Sequence, residues 1–160
     1  MNVETRQQLE SMAIALERAP RRAMFDGDSW AHDVPPLPGV YALWDLSTGA
    51  MIYIGETSSL RQRMRDLGRS VTHTCRRKLA LHHNLVGAAE SALSAVMGKH
   101  YVLSFLPVLL GRVELEEVLS LRFAATLMNS PSRRLLRGSQ YSWVVQAPTG
   151  GLVPTPISGL

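Results

Sequence analysis

Two short runs of β-branched, aromatic and aliphatic residues constrain the fold of this chain more than any other feature. Residues 39–46 and 51–56 each have the composition of a strand, and the turn-forming residues 47–49 lie between them. A three-residue turn with Gly49 in the left-handed conformation joins such runs into a hairpin. The sequence therefore predicts an antiparallel hairpin at the centre of the fold.

The length of that turn determines which residues face one another. With three residues in the turn, Leu43 lies opposite Tyr53, and Tyr41 lies opposite Gly55. Because side chains alternate between the faces of a strand, Tyr41 and Leu43 share a face, and Tyr53 joins them. A turn of two or four residues would place the phenols on opposite faces. We therefore expect both tyrosines on one face of the sheet.

Periodicity and turn residues predict one more strand and five helices around this hairpin. An amphipathic helix covers residues 2–24, and Pro20 ends or kinks it. The other predicted elements are helices at 59–68, 73–85, 87–98 and 113–128 and a strand at 100–110. We expect an α/β fold of the α+β type, with a small three-stranded antiparallel sheet flanked by helices and an additional N-terminal helix.

The composition indicates one domain with short flanking segments. The chain has 160 residues, of which 46% are hydrophobic, and this is enough for an ordinary core without a metal ion or disulfide. We expect residues 1–37 to form an N-terminal helix and loop that pack on the core. Residues 38–145 then form the central domain, and residues 146–160 a flexible tail rich in proline and glycine.

Cysteine use and hydropathy bear on the compartment. The single Cys75 has no internal disulfide partner, which favours a reducing, intracellular and hence cytoplasmic environment. No N-terminal segment has the pattern of a secretory signal. No apolar run reaches the roughly 20 residues that span a bilayer. We therefore expect no membrane partner.

Basic residues are clustered, although the net charge of +4 is only mildly basic. One cluster of arginines covers residues 61–78, and a second covers residues 133–137. Clustered arginine is typical of phosphate binding, and solvated helix faces are the alternative interpretation. Arg76, Arg77 and Arg133 are the candidate contacts to a substrate backbone.

The residues around the hairpin resemble the signature of the GIY-YIG nucleases. The run Pro38-Gly39-Val40-Tyr41 is similar to the first motif, with valine in place of the usual isoleucine. The run Tyr53-Ile54-Gly55 is similar to the second motif, and Arg63 follows ten residues after Tyr53. The resemblance covers roughly residues 38–130.

The resemblance implies a metal-dependent endonuclease that hydrolyses DNA phosphodiester bonds and leaves 3′-hydroxyl and 5′-phosphate ends. Tyr41 matches the tyrosine that orients and deprotonates water, while Tyr53 and Arg63 match residues that hold and neutralise the phosphate. Glu117, twelve residues before Asn129, matches the metal-binding glutamate, and Asn129 matches the asparagine at the helix end. A single carboxylate suits one Mg²⁺ or Mn²⁺ ion held mainly by water and substrate.

The chain departs from this pattern at two positions. Glu56 stands where excision-repair members carry a lysine, and Leu67 stands where some members carry a histidine. His73, at a predicted helix start, is the preferred substitute for the missing group, ahead of Lys78 and the histidines at 82–83. A capping or surface imidazole is the alternative for His73.

Each of the other candidates also has a structural alternative. The two tyrosines fit half-buried strand positions, and the arginine fits a solvated helix face. Glu114 and Glu116 compete with Glu117 for the role of metal ligand because they lie on neighbouring positions of the same helix. Asn129 is a residue type that ends helices in any protein.

These observations favour DNA as the partner, whether branched, single-stranded or a site-specific duplex. Because the flanks are short, a homodimer or a partner protein would assist targeting. A catalytically weak nucleic-acid-binding module of the same fold is the alternative function. A third hypothesis is an interaction subunit that uses its N-terminal helix and does not bind nucleic acid.

Overall fold

Helices cover both faces of one antiparallel sheet. The computed structural model describes residues 1–27, 30–69, 73–129 and 141–144. In chain order the elements are α1 (Val3–Arg18), β1 (Arg22–Ala23), β2 (Gly39–Asp45), β3 (Met51–Thr57), α2 (Leu60–Arg69), α3 (Thr74–His82), α4 (Glu90–His100), β4 (Tyr101–Pro107) and α5 (Arg112–Arg122). The expected α+β class and the N-terminal helix are both confirmed.

The sheet has four strands in the order β1-β4-β2-β3, and every neighbouring pair is antiparallel. The prediction of three strands was wrong by one short strand. Arg22 pairs with Leu103 and Ala23 with Val102, so β1 extends the sheet beyond β4. Two residues are too few to carry an alternating pattern, and the sequence therefore gave no signal for this strand.

Both faces of the central strand β2 are buried, which explains why its sequence is an uninterrupted apolar run. One face packs against α1 and α5 in a cluster called here the α1/α5 core, which includes Val40, Ala42, Trp44, Ile54, Leu115 and Val118. The other face packs against α2, α3 and α4 in a cluster called here the tyrosine core, which includes Tyr41, Leu43, Tyr53, Met64, Cys75 and Leu103.

The hairpin has the predicted pairing but not the predicted turn. Leu43 pairs with Tyr53, and Tyr41 pairs with Gly55. However, Asp45 N donates to the Ala50 carbonyl over 2.9 Å, so four residues rather than three lie in the turn. A bulge between Leu43 and Trp44 compensates, because Trp44 pairs with Met51 and leaves one extra residue in β3.

The segment after α5 explains both that bulge and the early end of the helix. The apolar period predicted a helix to residue 128, whereas α5 ends at Arg122. The Thr126 hydroxyl donates to the Met51 carbonyl over 2.7 Å, and Met128 N donates to the Ile52 carbonyl over 2.8 Å. The chain therefore leaves the helix to pair with the outer edge of β3.

Several sequence expectations fall outside these ranges. The predicted tail at residues 146–160 and the candidate Arg133 lie outside the described residues. Within the described ranges, no helix has both the length and the apolar character needed to cross a membrane.

Candidate active site

The two tyrosines lie together on the face of the sheet that α2 and α3 cover. Their rings are stacked, with centroids 6.2 Å apart and planes inclined by 30°. Tyr41 is 2% exposed and Tyr53 is 7% exposed. The predicted shared face is confirmed, although a four-residue turn with a bulge produces it instead of a three-residue turn.

Two glycines make room for this arrangement. A Cβ atom on Gly55 would lie 2.6 Å from the Tyr41 hydroxyl oxygen, so the Tyr41 ring occupies space that any other residue would fill. A Cβ atom on Gly39 would lie 2.4 Å from the Leu106 carbonyl oxygen and 2.7 Å from Leu60. The glycine two residues from each tyrosine therefore has a packing reason that the sequence analysis did not identify.

Helix α2 brings Arg63 to this pair. Ser59 begins the helix as predicted: its carbonyl accepts from Arg63 N over 3.0 Å, and its hydroxyl accepts from Gln62 N over 3.4 Å. The Arg63 side chain is half-buried and makes no hydrogen bond or ion pair within the described part of the chain. Its positive charge acts to lower the pKa of both tyrosine hydroxyls.

Burial nevertheless dominates the ionisation of the tyrosines. It raises the pKa of Tyr41 well above its ordinary value, and it raises the pKa of Tyr53 as well. The two hydroxyls also affect each other: a charge on Tyr53 would raise the pKa of Tyr41 further. Both phenols are therefore protonated at neutral pH in this arrangement.

His73 joins the tyrosines at the start of α3. Its ring lies 6.5 Å from that of Tyr41, and it is 5% exposed. Burial, followed by the charge of Arg63, lowers the pKa of His73 to about 4, so the imidazole is neutral at pH 7.

The hydrogen bonds of His73 determine its tautomer. Nδ1 accepts from Cys75 N over 3.2 Å and caps the helix, which places the proton on Nε2. Nε2 is buried and has no partner among the described residues. The imidazole therefore presents a hydrogen-bond donor, and it is not available as a base through Nε2.

Glu117 does not lie where the sequence analysis expected. It is 5% exposed and accepts a hydrogen bond from the hydroxyl of Tyr141, which belongs to the α1/α5 core. Glu116, which is half-buried, is the carboxylate whose charge raises the pKa of Tyr53. Adjacent residues point about 100° apart around a helix, so the two glutamates have different surroundings, and the assignment of Glu117 as the metal ligand stays a prediction.

A divalent ion would therefore depend on Glu116. Within the described residues there is no group of three or more His, Cys, Asp or Glu side chains that would hold a metal ion. A single carboxylate near the tyrosines suits Mg²⁺ or Mn²⁺, because these ions take oxygen ligands and keep several waters. Glu116 would be the carboxylate that holds such an ion.

Asn129 is a sheet residue rather than a helix cap. Its side-chain oxygen accepts from Ile54 N over 2.9 Å, and its side-chain nitrogen donates to the Ile54 carbonyl over 2.6 Å. The amide thus pairs with β3 as a strand backbone would. Asn129 lies seven residues beyond the last residue of α5 and holds the strand that carries Tyr53.

The three arginines predicted to contact substrate differ in position. Arg77 is exposed on α3, whereas Arg133 lies outside the described residues. Arg76 is 1% exposed; it donates to the Leu67 carbonyl over 2.9 Å and forms an ion pair with Glu90. The prediction for Arg76 was wrong, because this guanidinium is a buried link between helices.

Comparison with known proteins finds no matching family model, no similar curated protein and no similar solved structure. The case for a function therefore depends on the chain itself. The features available are the two tyrosines, the unpaired Arg63, the neutral His73 and the nearby Glu116.

Proposed function

We propose that this chain is a metal-dependent endonuclease that hydrolyses DNA phosphodiester bonds and leaves 3′-hydroxyl and 5′-phosphate ends. The observation that supports this most is the Arg63 guanidinium near two stacked tyrosines, since it makes no hydrogen bond or ion pair among the described residues. A half-buried cation of this kind is a site for an anion, and the hydroxyls supply further hydrogen bonds. The resemblance to the GIY-YIG nucleases leads to the same assignment.

In this proposal each side chain of the site makes a different contact with the phosphate. Arg63 binds nonbridging oxygens and neutralises the charge that develops on them. The Nε2 proton of His73 donates to another phosphate oxygen. Tyr53 is protonated because its pKa is raised, and its hydroxyl donates to the phosphate or to the attacking water.

Tyr41 orients the attacking water in this mechanism. Its hydroxyl oxygen accepts a hydrogen bond from the water. A phenol with a raised pKa is a poor base, and we therefore do not retain the deprotonating role expected for Tyr41. An ion held by Glu116 would supply Lewis-acid stabilisation of the departing 3′ oxygen and a more acidic water. The proton that the attacking water loses passes to solvent, and the departing 3′ oxygen takes one from solvent to give the 3′-hydroxyl end.

A cleavage assay tests the proposal. Single-stranded, duplex and branched DNA are incubated with the chain in Mg²⁺, in Mn²⁺ and in chelator, and the product ends are identified by ligation and by end-labelling. We expect metal-dependent cleavage of at least one substrate. Under single-turnover conditions at saturating enzyme, Arg63→Ala should lower the rate by roughly 10²-fold or more.

Two comparisons control for contamination and misfolding. Arg18→Ala removes an exposed arginine on α1, across the sheet from the tyrosines, and should cleave at the wild-type rate. Glu116→Gln should abolish cleavage, whereas Glu117→Gln should mainly lower stability. The proposal is wrong if no substrate is cleaved, or if Arg63→Ala cleaves at the normal rate once saturated.

A catalytically weak nucleic-acid-binding module of the same fold is the second candidate. The observation that favours it is the burial of Tyr41, which is 2% exposed. Binding without cleavage, with an affinity that falls steeply as salt rises, would identify this function. Arg77→Ala should reduce the salt slope by about one in either case, because it would remove one phosphate contact.

A further inference from the structure

A cavity of about 600 Å³ lies between α2 and the segment that precedes β2. The residues of its wall that carry the argument are Phe25, Trp30, His32, Arg65, Gly68 and Arg69. Its volume falls within the range of pockets that bind small organic ligands. None of these side chains takes part in the proposed cleavage.

The apolar wall is an aromatic pair. Phe25 and Trp30 meet edge to face, with ring centroids 5.0 Å apart and planes inclined by 78°. The Phe25 ring lies against two helices at glycines: a Cβ atom would be 3.4 Å from it at Gly68 and 3.7 Å from it at Gly98. The rings are therefore held in place by packing before any ligand arrives.

Phe25 also has an unusual backbone. Its φ angle is +61°, in the left-handed region that non-glycine residues rarely occupy. Such a conformation is strained and persists only where the surroundings enforce it.

The polar wall is basic. Arg65 and Arg69 lie one turn apart on the exposed face of α2, and His32 is exposed on the opposite wall. Arg63 and Gly68 point about 140° apart around the helix axis, since each residue turns an α-helix by about 100°. The two arginines therefore lie between the Arg63 site and the aromatic pair, along the outside of the helix.

We propose that this cavity binds one unpaired nucleobase of the strand whose phosphate lies at Arg63. The base stacks on Trp30 with Phe25 at its edge, because the two rings are nearly perpendicular, and the intervening phosphates follow Arg65 and Arg69 across α2. This inference rests on the proposed function, which gives DNA as the substrate. It adds that one base of the bound DNA must be unstacked. The preferred substrate is then single-stranded or branched DNA rather than an intact duplex.

The chemistry of the wall favours a base over other ligands. Aromatic side chains stack on any nucleobase because every base has a π-face, and arginines beside them bind the phosphates that accompany it. An aliphatic ligand would not use the arginines, and a free inorganic anion would not use the rings. A base joined to phosphates uses both walls.

Binding to two oligonucleotides of equal length tests the proposal without cleavage. One is an ordinary single strand, and the other has abasic residues over its central positions, with all phosphates present. Chelator is added, and binding is followed by fluorescence anisotropy over a salt series. We expect the ordinary strand to bind about tenfold more tightly, as one lost base–aromatic stack implies.

Variants then locate the base. Trp30→Leu should remove the preference for the ordinary strand, and Trp30→Phe should keep part of it. Arg69→Ala should weaken binding of both strands equally and lower the salt slope by about one, whereas Arg18→Ala should change neither. Thermal unfolding checks that each variant is folded. If Trp30→Leu does not fold, a reduced preference for the ordinary strand in Trp30→Phe is the test instead.

The outcomes separate this inference from the nuclease proposal. Equal binding of the two strands by the wild-type chain overturns the base site, even if the chain cleaves DNA. A preference that survives in Trp30→Leu also overturns it. If the chain prefers the ordinary strand through Trp30 but cleaves no substrate, the base site is supported and the nuclease proposal is wrong. Absence of any DNA binding overturns both.

Discussion

At the scale of single residues, the Tyr41 ring can take its position because Gly55 has no Cβ atom. Because a Cβ atom there would lie 2.6 Å from the Tyr41 hydroxyl oxygen, Gly55→Ala should displace the ring. We expect a loss of about 1–3 kcal/mol in stability, as for other overpacked cores. The loss of cleavage rate should exceed what unfolding alone explains. Chemical denaturation and single-turnover cleavage measure the two effects.

A second glycine provides the control for that substitution. A Cβ atom at Gly68 would meet its nearest neighbour at 3.4 Å, an ordinary contact, and the residue lies inside α2. Gly68→Ala should therefore gain about 0.5–1 kcal/mol from helix propensity. Equal effects of the two substitutions would show that close packing against Tyr41 is not the reason for Gly55.

His73 should make the stability of the fold depend on pH. Its folded pKa of about 4 lies below the unfolded value near 6.5, so the folded chain binds the proton less well. The stabilising contribution is complete above pH 6.5 and is lost as the pH falls toward 4. His73→Asn keeps a capping acceptor for α3 and removes the titration.

Urea unfolding at pH 7.5, 5.5 and 4.5 measures this effect. We expect the wild-type midpoint to fall more steeply than that of His73→Asn over this range. Identical pH dependence in the two proteins would mean that the imidazole titrates normally and is not held neutral by its surroundings.

The arginines and glutamates show where residue-level prediction fails. Arg76 looked like its neighbours in a basic cluster, yet it shares a helix face with the buried Cys75 and Leu79, and this periodicity was the available signal. Glu116 and Glu117 are adjacent, so spacing alone did not distinguish them. In both cases the direction of the side chain around the helix, rather than the residue type, determined its role.

At the scale of elements, the hairpin shows that a correct pairing can have a different cause. Leu43 and Tyr53 are separated by nine residues, and an odd number must remain unpaired between them. A three-residue turn and a four-residue turn with a one-residue bulge both satisfy this condition. The sequence could predict the pairing because both solutions share it, but the choice depends on contacts far along the chain.

Those contacts come from the segment that follows α5, which the periodic pattern did not distinguish from helix. Apolar residues continue at helical spacing past Arg122, but hydrogen bonds to β3 are made instead. Asn129→Asp should reveal this role, because a carboxylate accepts from Ile54 N but cannot donate to the Ile54 carbonyl. We expect a loss of about 1–3 kcal/mol.

Hydrogen exchange locates the effect of that substitution. Amides of β3 should exchange faster in Asn129→Asp, while those of α5 keep their protection. Asn2→Asp is the matched control, because Asn2 caps α1 only as an acceptor, through its side-chain oxygen to Thr5 N at 2.8 Å. Faster exchange confined to the end of α5 would instead restore the helix-cap interpretation of Asn129.

At the scale of the whole molecule, the N-terminal helix is part of the core. Leu9, Ala13 and Leu16 are buried in the α1/α5 core, and Arg122 forms ion pairs with glutamates on α1. Deleting residues 1–19 should therefore leave a chain that does not fold, since α5 alone would have to cover the face of the sheet that it now shares with α1. Circular dichroism and size-exclusion chromatography measure this directly.

A truncated chain that unfolds cooperatively and cleaves DNA would contradict this prediction. It would mean that α1 is an accessory to an independently folding nuclease domain. Arg122→Ala gives a milder comparison, because it removes the ion pairs and leaves the apolar contacts in place. We expect it to be folded, with a lower unfolding temperature than the wild-type chain.

The pairing of Asn129 with β3 also bears on self-association. An uncovered strand edge presents a row of backbone donors and acceptors that can template strands from other molecules. Here the side chain of Asn129 and the backbone of Met128 occupy that row. Conditions that detach this segment without unfolding the sheet would expose unpaired backbone groups along β3. Aggregation should therefore begin at β3 before the molecule has lost its fold.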